Sequence, residues 1–592
     1  MSLKVAMIGA GSVVFSKNLT GDFLQHDAFS DATFTYMDVD ERRLQVGAGL
    51  CRKVAEATGT SPTIQTTMDQ AEAVDEADFV VCMVQIGGFN STLVDFEIPR
   101  KYGLNFTIAD TTGPGGLFRA LRTQPFMASL ARDIADRARP GCWLLQYSNP
   151  MSMNLRALLA AEPTLDVVGL CHSVQGTLAA LAADLQVPAD ECRFTVAGIN
   201  HMAFFTELSH RGRDLYPELF DKAAGFIDAG HNAVRYELMR RLGYFVTESS
   251  EHNAEYCAHF MPHESLIDRF GIPVDEYLRR CDGIVDEFAR LVDFSKTDEP
   301  IDVKTSHEYG SVIAHSIATG EPSVVYGNLP NRGAIPNLPD TAIVETPTLV
   351  DRNGPQPTRV APLEPQLLGY VMPHVVQHEL FARAVTERDR DAVYQACFND
   401  PLTAATLPMD TIVEMCDELI AAQQGDLPPL EPGRLPGSGK AFDPPTAEAL
   451  RASWDEAKKH TSDEDAVDRW ELAGPFDKDA DVDPLALDGD ADWKPVGLDA
   501  GDQVQPTEAL STHADGHYVA RASFDSVHDR QTTARFNTAR WRPAKVYLNG
   551  ELIYEGDGAK DVPLTLRQGR NDLAVRLTGP TAFGLYVTKA NF

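Results

Sequence analysis

The first forty residues leave this chain few folds to adopt. Residues 3–9 form a mostly apolar run of strand length, and Gly9-Ala10-Gly11-Ser12-Val13-Val14-Phe15 makes a tight turn into a helix. Thr33-Phe34-Thr35-Tyr36-Met37 then reads as a second strand, ending at Asp38. This is the βαβ opening of a doubly wound, Rossmann-like parallel sheet. Gly9 and Gly11 let the backbone approach a pyrophosphate, and Ser12 and Val13 begin a helix whose N-terminus faces its charge. Val14 stands where the third glycine of the usual fingerprint would be. Asp38 is placed to accept hydrogen bonds from a ribose diol and to repel a 2′-phosphate, which points to NAD rather than NADP.

Further strand-like runs lie at 77–84, 142–147 and 166–170. Ligands of such a sheet collect beyond the carboxyl ends of its strands, so Asn149 and Cys171 are expected at the mouth of one crevice. From 196 to 425 the pattern becomes mainly helical, with amphipathic stretches at 274–291 and 367–385. Six prolines between 428 and 445 read as a linker, followed by a short acidic helix to about 462. Beyond 466, short alternating runs separated by turn residues such as Asn549-Gly550 predict an antiparallel sandwich. The expected division is a nucleotide-binding domain at 1–195, a mainly helical α+β catalytic and oligomerisation domain at 196–425, a linker and helix at 426–465 and a jelly-roll-like β-sandwich at 466–592. Trp470, Trp493 and Trp541 of the sandwich either fill its core or stack on sugar rings.

Charge narrows the choice of partners. With 52 basic and 86 acidic residues, the formal net charge is −34, which argues against general affinity for nucleic acid or anionic membranes. No apolar run reaches the eighteen residues of a membrane span. Nine cysteines, an odd number spread from 51 to 416, suit reduced thiols and a cytoplasmic location better than a disulfide framework.

Two of the chemistry-bearing residues stand out. Cys171 follows a strand-like run, and His201 lies thirty positions on in Gly198-Ile199-Asn200-His201-Met202. A thiolate and an imidazole suit a borderline divalent ion, and only two protein ligands leave coordination positions for a substrate. Read in order, Gly9 to Phe15, Asp110-Thr111-Thr112-Gly113-Pro114-Gly115-Gly116, Ser148-Asn149-Pro150, Cys171-His172-Ser173-Val174, Asn200-His201 and Val350-Asp351-Arg352-Asn353-Gly354 resemble glycoside hydrolase family 4. The resemblance covers about residues 3–425, and the Cys-His-Ser-Val form is similar to that of the family's melibiase-type α-galactosidases.

The resemblance implies hydrolysis by way of oxidation: NAD takes hydride from C3 of the sugar, a base removes the acidified C2 proton, and the glycosidic oxygen leaves. Water then adds, and the hydride returns to C3, so there is no net redox. It also implies a homo-oligomer, a glycoside substrate, and Cys171 and His201 as ligands of Mn²⁺ or another divalent transition metal. Asn149 would bind the sugar, and Asp110 would keep the base basic or, more plainly, cap the turn before Gly113. His172 either protonates the leaving oxygen or hydrogen-bonds the sugar. The base is drawn from Tyr256, Glu248, Glu251 and His252. The stretch 87–95 has no Arg or Lys to meet a 6-phosphate, and Asn90, Ser91 and Thr92 are expected to bond an uncharged C6 hydroxyl. The expected activity is therefore an α-galactosidase on unphosphorylated substrates. The same chemistry on α-glucosides or uronic-acid glycosides, a sugar or hydroxy-acid dehydrogenase, and a glycan-binding protein are its rivals.

Overall fold

The computed structural model describes residues 2–297, 299–306 and 308–461, and beyond them 464–466, 470–477, 482–487, 491–496, 504, 506, 510, 516–526, 530–538, 544–556, 560–579 and 583–588. The chain divides into two compact units, Met1–Trp454 and Asp455–Phe592.

The first unit is organised by a twelve-stranded sheet. Its parallel half consists of β1 (Lys4–Ile8), β2 (Thr33–Met37), β3 (Thr63–Thr67), β4 (Phe79–Cys82), β5 (Trp143–Gln146) and β6 (Val167–Gly169), in the order β3-β2-β1-β4-β5-β6. Helices cover both faces of this half, which is why its central strands are apolar without alternation. Along β1, Val5 and Met7 pack with Leu19, Phe23, Phe34 and Val81. Their neighbours Ala6 and Ile8 pack on the opposite face with Val80, Met127, Leu130 and Leu155. Successive side chains of one strand thus serve two cores, as the two-residue period of a strand requires.

Beyond β6 the sheet continues antiparallel through β10 (Ser323–Pro330), β11 (Ile343–Asp351), β7 (Cys192–Ile199), β8 (Met202–His210) and β9 (Arg213–Asp214), with β12 (Gly354–Pro357) paired to β11. The expected boundary at 195 falls inside β7, and the α+β region after it contributes strands to the same sheet. Its strands were hidden because Glu345, Pro347 and Asn328 interrupt the apolar periodicity of β10 and β11. Burial of Asn328 and Glu345 is a tertiary decision.

The proline-rich segment also differs from expectation, since it is not a free linker. The Asp391 carboxylate accepts the amides of Arg434 at 2.5 Å and Leu435 at 3.0 Å. Asp417 likewise accepts from the Ser438 amide and hydroxyl, each at 2.7 Å. Both acids lie on helices of the first unit, so the segment is a strap over them. At its end Trp454 is 1% exposed, and its indole donates to Asp282 at 3.0 Å.

Among the described residues, the strands of the second unit pair antiparallel. A sheet of Glu464–Ala466, Phe583–Thr588, Arg530–Thr538 and Lys560–Leu566 accompanies a six-stranded sheet of Lys494–Val496, Trp470–Phe476, His517–Ser526, Gly569–Thr578, Ala544–Leu548 and Glu551–Gly556. Trp470 is core, 2% exposed and edge-on to Phe583, so it is no platform for sugar. Trp493 is half-buried beneath the Arg521 guanidinium, 3.9 Å from its ring centre. Trp541 lies outside the described residues. Among the described residues no helix is long and apolar enough to cross a membrane.

Trp454 anchors the strap by burial, so Trp454→Ala is expected to destabilise the first unit by about 3–5 kcal/mol. Denaturant unfolding should show its transition moving while that of the second unit stays in place.

Candidate active site

Where β6 ends, the sheet changes direction. A cross-strand row runs Gly169, Asn328, Glu345, Gly198 through β6, β10, β11 and β7. A side chain at either end would collide: a Cβ on Gly169 would meet Met151 Sδ at 2.1 Å, and one on Gly198 would meet Met202 O at 2.4 Å. Between them the Asn328 amide donates to Gly169 O at 3.3 Å and to the Glu345 carboxyl at 3.2 Å. Burial pushes Glu345 up to about 8, so it adds little negative charge beneath the site at neutral pH.

Cys171 lies two residues beyond one end of this row, and His201, in the β7–β8 turn, lies three beyond the other. Their Sγ and Nε2 atoms are 3.4 Å apart. Glu248 completes the group, with Oε2 3.9 Å from Cys171 Sγ and 3.5 Å from His201 Nε2. All three donor atoms lie within 4.8 Å of one another. His201 and Glu248 both sit at positive φ, 64° and 69°, a strain that persists only where the surroundings enforce it. Burial raises the Cys171 thiol, and the nearby Glu248 charge raises it further. A cation among these atoms would relieve that repulsion and deprotonate the thiol. Burial pushes His201 down to about 4, which leaves its imidazole neutral, the form that binds metal. The sulfur, nitrogen and oxygen donors suit a divalent transition ion.

Next to this group is a chain of charges. His252 places Nδ1 3.2 Å from Glu248 Oε1 and Nε2 3.4 Å from Asp110 Oδ1. Burial opposes its protonation, but the Glu248 charge and the Asp110 hydrogen bond prevail and hold the imidazole well above its ordinary value. Asp110 and Glu248 are both held below the carboxylate range: burial opposes this too, yet the His252 hydrogen bond outweighs it for Asp110, and the His252 charge and hydrogen bond do so for Glu248. Asp110 also accepts from Thr111 at 2.6 Å and from the Asn149 amide at 2.9 Å. Asn149, just past β5, is thereby tied to the same crevice.

The loop that carries Asp110 is built by a residue the sequence reading missed. Glu255 Oε1 accepts the amides of Thr107, Ile108 and Ala109 at 2.6, 2.7 and 3.0 Å. Glu255 and His252 share the helix Ser250–Glu255, so one short helix holds both the loop and its acid. No motif marks Glu255, because its role is to satisfy backbone amides.

The other expected residues fall differently. The Glu251 carboxylate pairs with Arg280 at 2.7 Å, outside the network. Tyr256 is 2% exposed, with its hydroxyl 3.3 Å from His201 Nδ1, the ring nitrogen remote from the donor group. His172 is solvent-facing, and its Nδ1 meets Glu308 at 2.9 Å, a bond that raises its proton affinity. Asn90, Ser91 and Thr92 lie near the start of the helix Gly88–Lys101. Asn90 is exposed, Ser91 is buried, and the Thr92 hydroxyl already bonds Gly88 O and the Gln85 amide.

At the amino end of the crevice, Gly9 has φ 89°, and a Cβ there would meet Met83 O at 2.8 Å. The Gly11 amide donates to Asp38 at 2.7 Å, and a Cβ on Gly11 would strike that carboxylate. Ser12 and Val13 begin the helix Val13–Leu24. Packing against Met83 and Asp38 thus keeps both positions glycine, and a side-chain-free turn leading into a helix N-terminus fits a dinucleotide.

The Tyr256 contact generates a test. If its hydroxyl orients His201, Tyr256→Phe should weaken metal affinity about tenfold or more while saturating metal restores most of the turnover. Metal titration monitored by activity and by calorimetry checks this. A loss of kcat that metal cannot restore would place Tyr256 in the reaction itself.

Comparison with known proteins places the chain in a family. Residues 4–187 match the model of the family 4 glycosyl hydrolases, and 196–403 match that of the family's C-terminal domain. An alpha-galactosidase of Bacillus subtilis (strain 168) is 39% identical over 429 residues, which cover 72% of this chain and 99% of that protein. An alpha-galactosidase of Rhizobium meliloti (strain 1021) is 28% identical over 444 residues, covering 72% and 89%. The solved structure of a 6-phospho-alpha-glucosidase from gut microorganisms, in complex with NAD and Mn²⁺, shares the fold with a TM-score of 0.63 at 21% identity, covering 73% of this chain and all of that one. The two family models together span well over half the chain, and on that ground the protein belongs to glycoside hydrolase family 4 and is a glycosidase.

Proposed function

We propose that the protein is an NAD- and divalent-metal-dependent α-galactosidase that acts on unphosphorylated galactosides. The observation that carries this reading is the joining of three elements in one crevice: the Cys171–His201–Glu248 group, the Asp110–His252 pair and the glycine turn at the carboxyl end of β1. Bound NAD supplies a reversible hydride acceptor, and a divalent cation held by Cys171, His201 and Glu248 supplies Lewis acidity toward the sugar's oxygens.

The remaining chemistry belongs to the chain. Asn149 orients the sugar through the amide it also offers to Asp110. The proton acceptor is drawn from the carboxylates of the Asp110–His252–Glu248 network, with His252 held protonated between them. Glu251, tied to Arg280, is left out of it. His172, at the solvent edge and steadied by Glu308, suits proton delivery to the leaving oxygen. Residues 87–95 themselves carry no Lys or Arg, and the next cation along the helix, Arg100, is taken up by Glu97 and Asp275, which favours a neutral C6 group. Nine cysteines, none of them in a disulfide, support a cytoplasmic setting. The homo-oligomer implied by family resemblance is part of the same reading.

A panel of nitrophenyl α- and β-glycosides, with and without 6-phosphate, tests it in the presence of NAD, Mn²⁺ and a reductant. The α-galactoside should be preferred to its 6-phosphate by about tenfold or more in kcat/KM, equivalent to about 1.4 kcal/mol. Omitting NAD or metal should abolish turnover, and no NADH should accumulate. One NADH released per glycoside would mark a dehydrogenase, and preference for the phosphate would overturn the substrate assignment.

The His172–Glu308 contact sets a pH dependence. Because Glu308 raises the histidine, the protonated acid persists to higher pH, and activity that needs it falls as pH rises through the raised value. Glu308→Gln should therefore move the alkaline limb of the kcat/KM profile to lower pH. An unmoved limb would assign the acid elsewhere.

A further inference from the structure

We propose that Arg119, positioned by the Tyr277 hydroxyl and Gln85, reads the hydroxyls at the C4–C6 end of the sugar. The inference rests on the glycosidase reading, in which C2 and C3 face the Cys171 group. Sequence reasoning gave the C6 contact to Asn90, Ser91 and Thr92, but Thr92 already has both an acceptor and a donor, and Asn90 is exposed.

Starting from Asp110, the wall of the crevice runs the other way. Asp110 accepts from Asn149, and the backbone carbonyl of Asn149 accepts from Arg119 Nε at 3.3 Å. Arg119 Nη1 donates to the Tyr277 hydroxyl at 3.2 Å, and that hydroxyl reaches Gln85 Oε1 at 3.5 Å. Gln85 in turn donates to Thr92 at 2.9 Å. One polar strip thus leads from the metal-ligating group toward the helix Gly88–Lys101, and a pyranose with its C2–C3 edge at the first end presents C4 and C6 to the second.

Arg119 is the anomaly in this strip. It is 6% exposed, yet among the described residues it makes no ion pair, and its hydrogen bonds leave from Nε and Nη1 only. Arg122, one turn along the same helix, shows what a structural arginine looks like here. Its guanidinium is fully buried and grips Asp95 through two bonds, of 2.9 and 2.5 Å. A buried cation with spare donors is costly unless something accepts from them, and sugar hydroxyl oxygens are suitable acceptors. Tyr277 is held rigidly for the task, since its amide and that of Asp275 bond the carbonyls of Thr107 and Phe106 in the Asp110 loop.

The test uses the full chain with NAD and Mn²⁺. Its substrates are the nitrophenyl glycoside that the wild type cleaves best, the C4 epimer and the 6-deoxy analogue. Arg119→Met should lower kcat/KM on the best glycoside about 10- to 100-fold and affect at least one analogue far less, so that discrimination collapses. Arg119→Lys should recover part of it, and Tyr277→Phe should act in the same direction with a smaller effect. Calorimetric binding of the free sugar should weaken in the same order. An equal loss on all three substrates, with discrimination intact, would overturn the proposal by making Arg119 a support for Asn149; so would no loss in any variant. Should Arg119→Met not fold, the lysine and phenylalanine variants decide by the same ratios. Should the best substrate prove not to be the α-galactoside, the galactosidase reading fails while the ratios still judge Arg119.

Discussion

The row Gly169–Asn328–Glu345–Gly198 is the constraint on which the site depends. It is where a parallel sheet becomes antiparallel, and it sets how the end of β6 and the turn between β7 and β8 face each other. Both ends are glycine because Met151 on one side and the Met202–Ala203 backbone on the other leave no room for a Cβ. Its middle is polar, Asn328 and Glu345 each being wholly buried, so the register is held by hydrogen bonds as well as packing. Shifting either strand by one residue would turn Cys171 or His201 away, since side chains alternate along a strand.

Charge then dictates how the site is completed. Cys171 and Glu248 are two potential anions 3.9 Å apart in a buried setting, an arrangement that calls for a cation. Glu248 and Asp110 share a second cation, the imidazolium of His252. Arg119 faces Asp110 from the other side without pairing to it directly, and its charge helps to hold that carboxylate ionised against burial. Acid and base thus alternate from the sulfur to the guanidinium. Glu345, kept up at about 8 by burial, spares the array a further anion from below.

Support for this array comes from groups whose chemistry is inert. Glu255 gathers three consecutive amides of the Asp110 loop, and Asp275 and Tyr277 take two of its carbonyls. The loop has no regular structure of its own, so its backbone groups find partners in side chains and in a helix start. The strap over residues 426–445 follows the same logic at a distance, with Asp391 and Asp417 capturing amides that no strand or helix satisfies.

What the sequence determined by itself were the features with a local cause. Gly9, Gly11 and Asp38 announce a nucleotide turn because close backbone approach demands small residues there. The strand runs of β1, β4 and β5 were legible because burial on both faces requires unbroken apolar sequence. Cys171, His201, Asn149 and Asp110 stand in short motifs at the end of a strand or the start of a helix, and it is those motifs that carry the family resemblance. Tertiary structure alone decided the rest. Glu248 becomes a third donor, Glu251 three residues on becomes a partner of Arg280, and Tyr256 turns to the back of His201, distinctions that no spacing encodes. Arg119 and Arg122 look alike in sequence, and only the fold sets the Asp95 carboxylate in hydrogen-bonding reach of Arg122. The physical reason is common to all: a polar side chain's role is set by which partner the fold brings within about 3 Å, and that partner is usually distant in the chain.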